Sequence, residues 1–242
     1  MKTILKRFEG AIYAVAALLL IFALVIKANH TPKTTLEASV VLVTALDSRG
    51  SGTGFILQTS TGKVTITNNH VCNISTSGRI RISNRFDSRI VRILAKSADK
   101  DLCLLEAFDA PAVRVAKRAP ALLEELTIGG HPLGKTFHTR SGIYYGEQEW
   151  KIAFPAPESG ACDNGNELVE SMFYRLCVQT MQLGILSAPT YPGNSGSPVV
   201  NAGGELVGVI NSADSRDNEG GFIPLRDLKG FIDAYHDKKS TL

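Results

Sequence analysis

One tryptophan in 242 residues, 7% aromatics and a formal net charge of only +3 remove several classes of function at once. A charge that mild, with no stacking pattern among the aromatics, argues against a nucleic-acid surface. No internal repeat and no low-complexity tract is present, which excludes solenoids and disordered arrays. The four cysteines include no Cys-x-x-Cys pair, so a zinc centre is not expected. Neither metal nor cofactor is called for. What remains, 44% hydrophobic and 20% charged, is an ordinary globular composition with room for one or two cores.

Long apolar runs are also scarce: there is one. A basic segment, residues 1–10 with Lys2, Lys6 and Arg7, precedes an uninterrupted apolar stretch from Ala11 to Ile26 that ends at Lys27. Sixteen helical residues span about 24 Å, slightly short of a hydrocarbon core of ~30 Å. Phe8 and the stems of Lys6, Arg7 and Lys27 extend it by snorkelling. Segment 11–27 is therefore expected to be an uncleaved transmembrane anchor. A cleaved signal peptide of a secreted protein is the alternative, but Ile26-Lys27-Ala28 makes a poor cleavage site. Positive charge on the N-terminal side places the remainder outside the cytoplasm, periplasmic or extracellular. A polar linker, 28–37, follows.

From residue 38 onward the pattern is all-β. Strand-like runs are expected at Ser39–Leu46, Gly54–Gln58, Lys63–Asn68, Arg79–Ser83, Arg89–Ala95 and Leu102–Ala107. After a connecting stretch they resume at Leu126–Gly130, Thr139–Gly146, Glu149–Phe154, Phe173–Met181, Val199–Asn201, Glu205–Ser212 and Gly221–Pro224. Ala156 to Glu170 reads as an exposed loop. A closing helix from Leu225 to about Asp237 carries Leu225, Leu228, Phe231, Ile232 and Tyr235 on one face.

The chemistry is concentrated in Pro192-Gly193-Asn194-Ser195-Gly196-Ser197-Pro198. A serine hydroxyl needs an adjacent base to become a nucleophile. The glycines allow the Gly193 and Ser195 amides to converge on one spot, as stabilisation of an oxyanion requires. Taken alone this is also an ordinary turn. Two further stretches change the balance. Thr67-Asn68-Asn69-His70-Val71-Cys72 puts His70 just past a strand, and Asp101 precedes the apolar strand Leu102-Cys103-Leu104-Leu105. The order His, Asp, Ser is one in which the triad occurs.

These boxes, with Gly50-Ser51-Gly52-Thr53-Gly54-Phe55 and Ile128-Gly129-Gly130-His131-Pro132-Leu133-Gly134, resemble the trypsin-like (chymotrypsin-fold) serine proteases. The likeness is closest to the HtrA/DegP-type protease domain and runs from about Val40 to Leu228. It implies two six-stranded antiparallel barrels, about 38–110 and 122–224, within a protease domain 38–242 that ends in a helix. It further implies a serine endopeptidase acting on polypeptides through His70 as base, Asp101 as its orienting acid and Ser195 as nucleophile. The amides of Gly193 and Ser195 would form the oxyanion hole. Asp99 is the runner-up acid. His30, His131, His138 and His236 read as surface or loop residues.

By the same resemblance the primary pocket is walled by Pro189-Thr190, Ile210-Asn211-Ser212-Ala213 and Gly220-Gly221. No acid lies at its expected base, so small or medium apolar side chains are expected, although Asp214 and Asp217 stand close enough in sequence to intrude. Asn194, and the lack of an Ile-Val-Gly-Gly-like start, argue against activation by an inserted N-terminus. Ser197 stands where these families usually have glycine. The HtrA group usually adds a PDZ domain, whereas only the helix and a short tail follow Pro224. The oligomeric state stays open. Cys162 and Cys177 bracket the long loop and are expected to pair, which contributes ~3 kcal/mol for a fifteen-residue closure. Cys72 and Cys103 are read equally as a bond or as buried thiols. Two alternatives remain: a catalytically silent binding or scaffold module on this fold, and a self-processing protease.

Overall fold

The computed structural model describes residues 36–46, 50–155, 162, 166–170, 175–214 and 218–240. The chain divides into two compact units, Met1–Thr35 and Leu36–Leu242. The expected membrane segment, 11–27, falls in the first and lies outside the described residues. Among the described residues no helix is long and apolar enough to cross a membrane.

The second unit opens with six strands: β1 (Val40–Thr44), β2 (Ser51–Thr59), β3 (Gly62–Thr67), β4 (Arg79–Ser83), β5 (Ser88–Ser97) and β6 (Leu102–Leu105). They close into an antiparallel barrel in the order β1-β2-β3-β6-β5-β4. Alternation explains the closure. In β4, Ile80 and Ile82 are buried while Arg79 and Arg81 face out, the period-two pattern of a half-buried strand. β6 is buried throughout, as befits a strand with barrel on one face and the second half of the unit on the other.

The rest of the unit holds β7 (Arg114–Val115), β8 (Glu125–Gly130), β9 (His138–Pro155), β10 (Glu167–Glu170), β11 (Arg175–Leu186), β12 (Pro198–Val200), β13 (Glu205–Asp214) and β14 (Glu219–Pro224). They form an eight-stranded sheet in the order β10-β11-β14-β13-β12-β8-β9, with β7 beside β13. β9 pairs with β8 and also with β11. The C-terminal helix, Leu225–Ser240, buries Leu225, Leu228 and Ile232 against this half. One core runs through both halves, joining Phe55, Ile66, Leu102 and Leu104 to Leu126, Leu183, Val209 and Phe222. A second core fills the barrel around Val41, Ile56, Ile80 and Leu105.

Four expectations change. In place of a second six-stranded barrel at 122–224 stands the eight-stranded sheet, to which β7 and β10 add. The strands expected at 139–146 and 149–154 are one strand, β9, because its pairing with β11 runs unbroken from Gly146 through Gln148 and Trp150. The loop expected up to Glu170 ends in a strand, β10, held against Arg175–Val178. Arg114–Val115 lies parallel to β13 where only a connection was foreseen; two residues are too few to show a period.

Candidate active site

His70 lies in a four-residue helix, Asn69–Cys72, that begins where β3 leaves the barrel. Asp101 sits in the turn entering β6 at φ 47°, in the left-handed region that Asp tolerates better than most residues. The turn is clamped from several sides. The Asp101 amide donates to Ala98 O at 3.3 Å. Asn68 Nδ2 donates to Asp101 O at 3.0 Å. Gln179 of β11 reaches across to donate to Ala98 O at 3.0 Å and to Asp99 O at 2.8 Å.

The two side chains meet. His70 Nδ1 donates to Asp101 Oδ2 at 2.7 Å, and the His70 amide donates to Asp101 Oδ1 at 2.8 Å. Asp99 does not share this place; its carboxylate accepts from Ser97 Oγ at 2.6 Å. A disulfide joins Cys72 to Cys103, so the helix bearing His70 is bonded to the strand that follows Asp101. Both cysteines are fully buried, as either reading required, and the bond itself decides between them. Cys162 is bonded to Cys177.

Burial pulls the His70 pKa down, but the charge of Asp101 and its hydrogen bond pull harder the other way, and the net shift is upward from 6.5. Solvent still reaches 44% of the His70 side chain, which weakens the desolvation and leaves Asp101 the deciding neighbour.

Ser195 sits on the loop between β11 and β12. Gly193 has φ 94°, a conformation that leaves little choice but glycine. A Cβ there would also lie 2.6 Å from His131 O. The loop is fixed by backbone bonds from both halves: Thr53 N to Ser195 O at 2.8 Å, Gly196 N to Ile210 O at 2.9 Å and Ile210 N to Ser197 O at 2.8 Å. Among the described residues, the Gly193 and Ser195 amides make no hydrogen bond. Ser195 Oγ turns to Asn211 O at 3.5 Å, and no hydrogen bond joins it to His70 among the described residues. Ser197, the departure from the familiar glycine, is accommodated by Gly130, where any Cβ would fall 2.0 Å from Ser197 Oγ.

The pocket residues divide. Thr190 Oγ1 donates to Ser212 O at 3.3 Å, and Ser212 pairs with Gly221 across β13 and β14. A Cβ on Gly220 would meet Thr190 Cγ2 at 2.8 Å. Pro189 is half-buried beside them. Ile210 does not line this space; it is buried in the core, and only its backbone serves the loop. Asn211 also has a different place. Its Nδ2 donates to Asp101 Oδ2 at 2.6 Å, the oxygen that also takes His70 Nδ1. Ala213 lies in β13, but its side chain, that of Asp214 and all of Asp217 fall outside the described residues.

Thr53 and Leu133, quoted in the sequence only as parts of their boxes, prove to hold the nucleophile loop. Thr53 Oγ1 donates to Gly193 O at 2.7 Å and accepts from His131 N at 2.9 Å. Leu133, in a 3-10 turn, donates its amide to Pro192 O at 2.6 Å. His131, expected on a surface or loop, is buried. Desolvation holds its pKa below the ordinary value, and Nδ1 donates to Lys135 O at 2.9 Å. His138 bonds locally to Thr136 O, whereas His236 of the C-terminal helix meets Thr61 Oγ1 from 175 residues away; His30 lies outside the described residues.

The chain is 25% identical over 197 residues to Protease Do-like 1, chloroplastic, of Arabidopsis thaliana. It is 27% identical over 198 residues to Protease Do-like 2, chloroplastic, of the same plant. Each match covers 76% of this chain but only 39% and 28% of those proteins. Among solved structures, the active form of the Rv3671c protease from M. tuberculosis superposes with a TM-score of 0.64 at 18% identity, covering 84% of this chain and 83% of that one. The serine endoprotease from Yersinia pestis gives 0.59 at 20% identity, covering 84% and 64%. At such identities these structures speak for the fold. The family described as trypsin-like peptidase domain matches residues 52–209. That match spans the segments bearing His70, Asp101 and Ser195, and the chain belongs to this family.

Proposed function

We propose that this chain is a serine endopeptidase working through His70, Asp101 and Ser195. The observation that carries the reading is the 2.7 Å contact of His70 Nδ1 with Asp101 Oδ2, which leaves Nε2 as the free basic edge of the ring. Held in that tautomer, His70 takes the Ser195 proton as Oγ bonds to the scissile carbonyl carbon. The carbonyl oxygen becomes an oxyanion facing the unengaged Gly193 and Ser195 amides. His70 then gives the proton to the leaving amine as the C–N bond breaks, and water hydrolyses the acyl-enzyme by the same route. The eight-stranded sheet is read as the second barrel of the fold, closed through the β9–β11 pairing.

Thr190 supports a preference for small or medium apolar residues. Its hydroxyl spans to Ser212 O and its methyl packs at Gly220, so the pocket is shallow. A peptide library tests this. Cleavage after Ala or Val is expected, and Thr190→Ala should move the preference toward larger side chains. Best cleavage after Arg would overturn it.

Residues 11–27 are proposed to anchor the protease outside the cytoplasm; two disulfides suit an oxidising compartment. A silent module is the second reading, favoured by one observation, the Ser195 hydroxyl turned to Asn211 O. Catalytic hydrogen bonds often tighten only with substrate in place, so the endopeptidase reading stands ahead.

A further inference from the structure

The turn between β4 and β5 carries the most exposed large hydrophobic side chain among the described residues, Phe86 at 76%. The turn is well built: Asn84 Oδ1 accepts from the amides of Phe86 at 2.8 Å and Asp87 at 2.9 Å. The Arg85 guanidinium lies 4.4 Å from the Phe86 ring centroid. Ile90, half-exposed at 50%, sits opposite the outward-facing Arg81. An exposed aromatic ring and an isoleucine framed by arginines make an amphipathic tip, from which the barrel core gains nothing.

The charge is segregated. Residues 79–92 hold five arginines against the single acid Asp87; Arg89 pairs with Asp87 at 2.7 Å and Arg92, at the far end of the hairpin, with Glu106 at 2.5 Å, which leaves Arg81 and Arg85 as the main cations near the turn. The rest of 36–242 holds 16 basic and 21 acidic residues. A cationic tip on an otherwise anionic unit selects an anionic partner.

The chain enters the unit at the same place. Glu37 Oε1 is 3.9 Å from Arg85 Nη1, and β1 pairs with β4 in the register Leu42 with Ser83. Only residues 27–35 separate Leu36 from the end of the apolar run at Ile26. Nine residues reach about 30 Å at full stretch.

We propose that the β4–β5 tip docks on an anionic phospholipid surface, with Phe86 entering the headgroup region and Arg81 and Arg85 meeting lipid phosphates. This rests on the reading of 11–27 as an anchor, which supplies the nearby bilayer. Interfacial aromatics and juxtamembrane cations are a lipid-binding combination, each cation strengthening attachment about fivefold.

The test uses the full chain bearing Phe86→Trp, reconstituted into bilayers containing brominated lipid, with the unsubstituted chain giving the Trp150 background. Carbonate extraction of the same samples reports the anchor separately. With anionic lipid present, quenching above background is expected. The docked fraction should fall about fivefold for each of Arg81→Ala and Arg85→Ala, and also at high salt. Fluorophosphonate labelling that persists in these variants shows that they fold. An anchored Phe86→Trp chain whose added fluorescence ignores anionic lipid overturns the proposal. If carbonate releases the chain, the anchor reading fails, and flotation with anionic vesicles decides: flotation lost in the two arginine variants supports docking, and no flotation overturns it. A response to an acidic peptide but not to vesicles also overturns it.

Discussion

The amide of Leu133 donates to the carbonyl of Pro192 at 2.6 Å. The Pro192–Gly193 peptide is planar and trans, so fixing its oxygen fixes the opposite direction of the Gly193 N–H. On the far side of the same residue, Thr53 Oγ1 holds Gly193 O. A turn on one half of the unit and a strand on the other thus aim one amide of the proposed oxyanion hole.

Thr53→Val keeps the shape of that buried side chain and removes its hydroxyl. Gly193 O and His131 N are then left without the partner they share. Losing buried partners costs about 1–3 kcal/mol per group, and a misaimed oxyanion donor costs at most ~10²–10³ in kcat. A fall in kcat of about tenfold to a hundredfold is expected, with KM little changed. Steady-state kinetics on a peptide ester would show it, and an unchanged kcat would remove Thr53 from the account.

The boxes around His70, Asp101 and Ser195 are legible in the sequence because each is a local run of residues flanking one strand end. Their supports are not. Thr53 meets Gly193 across 140 residues, Asn211 meets Asp101 across 110, and Gln179 meets Asp99 across 80. None of these has a spacing or composition that marks its role, and Asn211 was legible only as a pocket wall. The break expected in β9 falls just after Gly146, which takes φ 100°. Pairing with β11 carries the strand through it.

The upward shift of His70 sets the pH dependence. Catalysis needs the neutral imidazole, so the acid limb of kcat/KM should lie above 6.5. The stability linked to charged His70 runs the other way: it is fully present below 6.5 and is lost as pH rises through the folded pKa. Asp101→Asn removes the charge that raises the pKa. It should move the acid limb to lower pH and lower kcat by roughly 10⁴-fold, the loss known when this acid is neutralised in a related triad. A pH–rate profile whose acid limb is unmoved by Asp101→Asn would contradict the pairing.

The Cys72–Cys103 bond closes a loop with a sequence separation of 31, for which chain entropy gives about 3.5–4 kcal/mol of stabilisation. Both ends lie in the barrel core. Replacing both cysteines by Ala should lower Tm and reduce kcat, since His70 and Asp101 lose their covalent tie. Calorimetry beside kinetics would separate the two effects. A drop in Tm with undiminished kcat at low temperature would limit the bond to a structural role.

The central claim is an activated Ser195, and covalent labelling of the full chain with a fluorophosphonate tests it most directly, beside Ser195→Ala and His70→Ala. Labelling of the wild-type chain is expected, and it should disappear in both variants. A folded wild-type chain that takes no label, or a His70→Ala variant that labels as well as wild type, would contradict the claim.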